Sequence, residues 1–185
     1  MKIYSLAVAF SVFAAPATAY NAGKVSSRRA AFSQAVGAVA VFGLGVAPAV
    51  ALEACPMDSK NCVRTTWRPP AGASKSDAIS GLRDALNSYP QEGQNKVDEG
   101  GWAIASDDLD SSGTVRVEYS SSGKGFFAKA FNGGKPFVDD FKVEVEDSGV
   151  VQIKSQSRIG ESDLGVNQKR VDYLAAVLKA KGWST

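Results

Sequence analysis

The chain has 185 residues, with 21 Lys and Arg against 19 Asp and Glu and not a single histidine. The missing imidazole excludes Ser-His-Asp and Cys-His catalysis, His-ligated metals and the usual general base near neutral pH. No Walker loop and no dinucleotide fingerprint occurs either.

The first elements read as addresses. Lys2, an apolar run from Leu6 to Ala15 and the triplet Ala17-Thr18-Ala19 make a secretory signal over residues 1–19. Tyr20 to Gln34 is rich in Ala, Ser, Lys and Arg and holds no acid, which suits a plastid or mitochondrial transit segment. Ser27-Arg28-Arg29-Ala30-Ala31-Phe32, a mildly apolar run and Ala49-Val50-Ala51 then resemble a twin-arginine signal with its peptidase site. Residues from about Ala30 to Ala51 are also long enough for a membrane anchor. Their Ala, Gly and Val composition and closing triplet favour the cleaved signal over residues 20–51. Three addresses in series resemble the tripartite presequence of algae with complex plastids, and that resemblance implies delivery to the thylakoid lumen.

Removing such a presequence changes the charge. Lys2, Lys24, Arg28 and Arg29 precede Leu52, whereas the first acid is Glu53, so residues 52–185 carry 17 basic and 19 acidic residues. In the overall charge balance, an electrostatic footprint for nucleic acid or anionic lipid is gone. The remaining 134 residues suit one domain with one core.

Glu53 to about Lys75, with Pro56, Pro69 and Pro70, reads as an irregular arm. It holds both cysteines, Cys55 and Cys62. They are either a small disulfide loop, worth ~2.5 kcal/mol by closure entropy, or a pair of reduced thiols. Ser74 or Ser76 caps a helix with Asp77 in its first turn. Ile79, Leu82, Leu86 and Tyr89 follow at helical spacing, and Pro90 stops it. After a polar loop, Gln91 to Gly101, strands are predicted over Trp102–Ser106, Thr114–Tyr119 and Phe126–Phe131.

Asp108-Leu109-Asp110-Ser111-Ser112-Gly113 between the first two of these fits part of a calcium loop, with Asp108, Asp110 and Ser112 as ligands. Its twelfth position is Tyr119 rather than an acid, and a plain Asp/Ser/Gly turn explains the same residues. No metal or other cofactor is therefore expected.

The last strands, Pro136–Glu146 and Val150–Arg158, pair through the loop Asp147-Ser148-Gly149. That length sets Val145 opposite Val151, Val143 opposite Ile153, Phe141 opposite Ser155 and Asp139 opposite Ser157. A final helix spans about Val166 to Lys181, with Val171, Leu174 and Leu178 on one face. The expected order is α-β-β-β-β-β-α. This is an α+β fold, about five antiparallel strands with two helices on one face and a polar outer face of Asp140, Lys142, Glu144 and Glu146.

Asp139 sits on the apolar face, where a carboxylate needs a partner or a rim position. Asp139, Ser155, Ser157 and Arg170 are expected to converge on a polar pocket, with Arg158, Asp163 and Asn167 nearby. The alternative is a purely structural network with Ser162, Asp163 or Asn167 capping the last helix. "CPMDSKNCV" (Cys55–Val63), "FVDDFKVEV" (Phe137–Val145) and "SRIGESDLGVNQKRV" (Ser157–Val171) together resemble domain of unknown function family 1499. The resemblance implies one domain from about Glu53 onward and places Asp139, Asp140, Arg158, Asp163, Asn167 and Arg170 in the family pattern.

The expected function is a non-catalytic, soluble accessory protein of the thylakoid lumen. Its expected partner is a photosynthetic membrane complex, a photosystem or light-harvesting antenna, with the protein peripheral to the membrane. The second expectation is a binder of a lipid, pigment or ion at the polar cluster, and the third an enzyme of unrecognised type.

Overall fold

The computed structural model describes residues 52–185; the presequence read in residues 1–51 lies outside them. The arm is the first departure from expectation. Cys62–Trp67 is a strand, β1, where an irregular segment was predicted. Val63, Thr65 and Trp67 alternate inward, and β1 pairs antiparallel with a later strand. Pro69 and Pro70 lie just past its end, where a missing N–H breaks no ladder bond.

Helix α1 spans Lys75–Ser88. Its Ser74 cap accepts the Asp77 amide at 3.2 Å, and the Asp77 carboxylate accepts the Ser74 amide at 2.8 Å, a reciprocal capping box. Strands β2 (Gly101–Asp108), β3 (Thr114–Ser120), β4 (Val138–Val145) and β5 (Val151–Ser157) follow, then helix α3 (Val166–Lys179). Between β3 and β4 stands the second departure: Phe126–Phe131, predicted as a strand, is a six-residue helix, α2. Both edges of β3 are occupied, by β2 on one side and β4 on the other, so the insert pairs with neither of the strands it connects. Only Ala128 of α2 is buried.

The sheet runs β1-β5-β4-β3-β2 and is antiparallel throughout. The β4–β5 register is the expected one, from Val145 opposite Val151 to Asp139 opposite Ser157. Gly149 closes that turn at φ +79°, the left-handed conformation a three-residue loop requires. Helices α1 and α3 pack on one sheet face. Leu82, Leu86, Leu174 and Leu178 meet Trp67, Val117, Phe141 and Ile153 in a core whose buried members, among the described residues, run from Trp67 to Trp183. The C-terminal turn closes it: Trp183 lies so near Gly81 that a β-carbon there would sit 3.1 Å from the indole. Ser184 and Arg68 exchange backbone hydrogen bonds just beyond β1. The described residues thus form an α+β single domain, and its polar side chains gather at the end of the sheet where β4 begins and β5 ends.

Candidate functional site

Strand alternation puts Asp139 inward, between Tyr119 on β3 and Ser157 on β5. One turn into α3, Arg170 projects into the same space and is fully buried. Its Nη2 donates to Asp98 at 2.7 Å and to Asp139 at 3.1 Å, while Nη1 donates to the Asn167 amide oxygen at 2.9 Å. The guanidinium plane also lies over the Tyr119 ring, 4.2 Å from its centroid. Asp98 is held from behind by the Tyr89 hydroxyl at 2.9 Å.

Asn167 joins this group to the strand ends. Its oxygen accepts from the Ser155 hydroxyl, and its nitrogen donates to Ser157 Oγ at 3.1 Å and to the Asn61 carbonyl at 3.3 Å. Asp163 holds the entrance to α3, accepting the Gly165 amide at 2.9 Å and the Asn167 amide at 2.7 Å.

The electrostatics follow from burial. Burial disfavours the Arg170 cation, but the Asp98 and Asp139 carboxylates outweigh it and hold the guanidinium above its ordinary range. For Asp139 the balance is reversed. Burial pushes its carboxyl up more strongly than Arg170 and Ser157 pull it down. Burial, with the Asp98 charge, likewise pushes the Tyr89 phenol up to about 12. Two carboxylates, Asp98 and Asp139, share one guanidinium.

Of the residues expected to converge, Asp139, Ser155, Ser157, Asn167 and Arg170 do so, and Asp163 caps the adjoining helix. Arg158 does not join them. As the neighbour of inward-facing Ser157 it turns to the outer face. There its Nε donates to Asp140 at 2.8 Å and its Nη2 to Asp140 at 2.9 Å and to Glu118. Arg116 donates to the same two carboxylates. The hydrogen bonds from Arg158, seconded by Arg116, hold both carboxyls below their usual range. The cluster also includes Tyr89, Asp98 and Tyr119, which sequence reasoning missed. Asp98 lies in a loop between helix and strand, where no periodicity marks it as inward.

Beside the cluster opens a cleft of about 510 Å³. Val97, Phe127, Phe131, Phe137, Ile159 and Leu164 form its apolar wall, and Asp98, Asp139, Glu161 and Asp163 supply four carboxylates. Among the described residues, no lysine or arginine lines it. The size falls within the range of small-molecule sites, and the lining is mostly apolar with a few convergent polar groups. Chemically, the cleft offers a greasy surface leading down to a buried carboxyl and the Ser157 hydroxyl. It suits a molecule with an apolar body and a head that donates hydrogen bonds or carries positive charge.

The calcium-loop residues are used otherwise. The Asp108 carbonyl accepts the amides of Ser111, Ser112 and Gly113, Ser112 shares a hydrogen bond with Thr114, and Asp110 joins Asp107 in gripping Arg83 at 2.9–3.2 Å. Among the described residues, no group of three or more Cys, Asp or Glu side chains is disposed to hold a metal ion. Cys55 and Cys62 are joined as a disulfide with Cα atoms 5.7 Å apart. No helix among the described residues is long and apolar enough to cross a membrane.

No curated protein matches the chain. Residues 51–178 do match a family model, and they contain the disulfide, the whole sheet and every member of the Asp139–Arg170 cluster. The chain therefore belongs to the family described as protein of unknown function (DUF1499).

Proposed function

We propose that the protein binds a small amphiphilic molecule in the cleft beside Asp139. The apolar body lies along the Phe127, Phe131 and Phe137 wall, and a head without negative charge donates to the Asp139 carboxyl. The observation that carries this reading is the lining itself: a mostly apolar cleft of about 510 Å³ with four carboxylates and no cationic side chain. Such a lining repels an anionic head and leaves a hydroxyl or ammonium head with acceptors. The compartment belongs to the same proposal and rests on the residues of the presequence, which point to the thylakoid lumen. An accessory role at a photosynthetic membrane complex rests on that compartment alone and ranks second.

The test is a calorimetric titration of residues 52–185, which hold the five-stranded sheet, both long helices and the core between them. The probes are three single-chain amphiphiles of equal length, bearing a glycerol, an ammonium or a carboxylate head, each kept below its aggregation concentration. The glycerol and ammonium heads are expected to bind at least about tenfold more tightly than the carboxylate, which corresponds to about 1.4 kcal/mol. Asp139→Asn should weaken binding of the glycerol and ammonium heads several-fold, while Asp98, Glu161 and Asp163 keep part of the discrimination against the carboxylate. Equal affinity for all three, or binding of none, would sink the proposal.

A further inference from the structure

Helix α2 presents a surface that the cleft does not account for. Phe126 is 75% exposed and Phe131 73%, while Phe127 between them is 55% exposed. The three rings are in contact as one patch, with centroids 5.7 Å apart for Phe126 and Phe127 and 6.2 Å apart for Phe127 and Phe131. Leu164 extends the apolar surface across the cleft mouth at 70% exposure. A contiguous apolar patch of this kind on a water-soluble face marks a contact surface.

Charge identifies the partner. The segment from Ser122 to Pro136 contains Lys124, Lys129 and Lys135 and no acid. All three lysines are exposed. Elsewhere in residues 52–185 acids outnumber bases, 19 to 14. The molecule is therefore polarised, with a cationic, aromatic helix on an otherwise anionic body. A short helix with phenylalanines on one side and lysines around them has the makings of an interfacial anchor. Its rings would seat at the boundary of headgroups and acyl chains, about 5–10 Å deep, and its lysines would meet anionic headgroups.

We infer that α2 docks the protein onto a bilayer bearing anionic lipid, through Phe126 and Phe131 with Lys124, Lys129 and Lys135. The anionic body, the carboxylate-lined cleft included, is repelled by the same surface, which leaves α2 facing the membrane. The inference goes beyond the ligand reading and stands without it, because Phe126, the most exposed ring, takes no part in lining the cleft.

The experiment is co-sedimentation of residues 52–185 with vesicles of phosphatidylcholine alone or with about one-third phosphatidylglycerol, at low and high salt. Binding is expected to the anionic vesicles, weakened by salt. Phe126→Ser should reduce it several-fold, and the triple variant Lys124→Glu, Lys129→Glu and Lys135→Glu should remove the preference for anionic lipid. All four side chains are exposed, so unchanged circular dichroism is expected of both variants. The amphiphile titration above is run on Phe126→Ser in parallel. Retained ligand binding with lost vesicle binding separates the two proposals. Failure to sediment with anionic vesicles at low salt would overturn the inference. So would sedimentation that neither variant alters. Self-association, or capture of a protein partner that Phe126→Ser abolishes while vesicles are ignored, would assign the patch to a protein contact and overturn it as well.

Discussion

Asp139 decides how the buried cluster responds to acid. Its carboxyl is held above its ordinary value of 3.8, chiefly by burial. An acid with a raised folded pKa binds its proton more tightly in the folded chain than in the unfolded one. It therefore costs the fold nothing below 3.8 and costs steadily more as pH rises through the folded value. Asp139→Asn is neutral throughout and is free of that rising cost. The difference in Tm between variant and parent should move in favour of the variant between about pH 3.5 and 7. Movement towards the parent would mean that Arg170 outweighs burial and that the carboxyl is depressed. The inward position of Asp139 was legible, since strand alternation and the β4–β5 register fix it. Its partnership with Asp98 was not, because a loop residue nine places after Tyr89 carries no period that points it anywhere. The cluster's second carboxylate became visible only once the fold brought that loop against α3.

Element by element, legibility tracks how much a segment's own residues decide. The β4–β5 hairpin was readable because an alternating apolar pattern admits one register and Gly149 supplies the turn. Helix α1 was readable for similar reasons, with Ser74, Asp77 and Pro90 marking its ends. Strand β1 was obscured by the prolines around it, although Val63, Thr65 and Trp67 alternate inward. Helix α2 departs from the strand expected there because Phe126, Phe127 and Phe131 favour strands locally, while β3 and β4, the strands it connects, already pair with each other. The edge strand β1 also depends on a constraint outside the ladder. The Cys55–Cys62 disulfide ties the preceding arm to its first residue. Replacing both cysteines with serine should lower stability by up to ~2.5 kcal/mol, the closure entropy of so short a loop. Urea denaturation of the double variant checks this, with a reduced midpoint and an unchanged slope expected. No loss at all would mean that the arm is already ordered by its other contacts, among them the Ser59 and Asn61 side chains.

At the scale of the whole molecule, stability is unevenly placed. Every strand and both long helices contribute to one core, and Trp67, Trp102 and Trp183 report on it from β1, β2 and the C-terminal turn. Unfolding of residues 52–185 should therefore be a single transition, with tryptophan fluorescence and far-ultraviolet circular dichroism coinciding. Helix α2 is the exception inside that unity. It buries one alanine, and glycines with positive φ lie before and after it, at Gly123, Gly133 and Gly134. Its hydrogen bonds are few and lie near solvent, as expected of a segment that opens locally. Amide exchange on the native chain should be fastest at Phe127–Phe131 and slowest in β4 and β5, with α2 opening well below the global unfolding free energy. An amphiphile bound along Phe127 and Phe131 should slow α2 selectively, by ordering the wall of the cleft, while leaving the strand amides near their former rates. Equal slowing across the whole domain would instead mean general stabilisation by mass action, with no special part for the helix. Protection of α2 equal to that of the strands before any ligand is added would show that the aromatic helix is as firmly built as the core. The wall of the cleft would then be a fixed surface rather than one that adapts to its occupant.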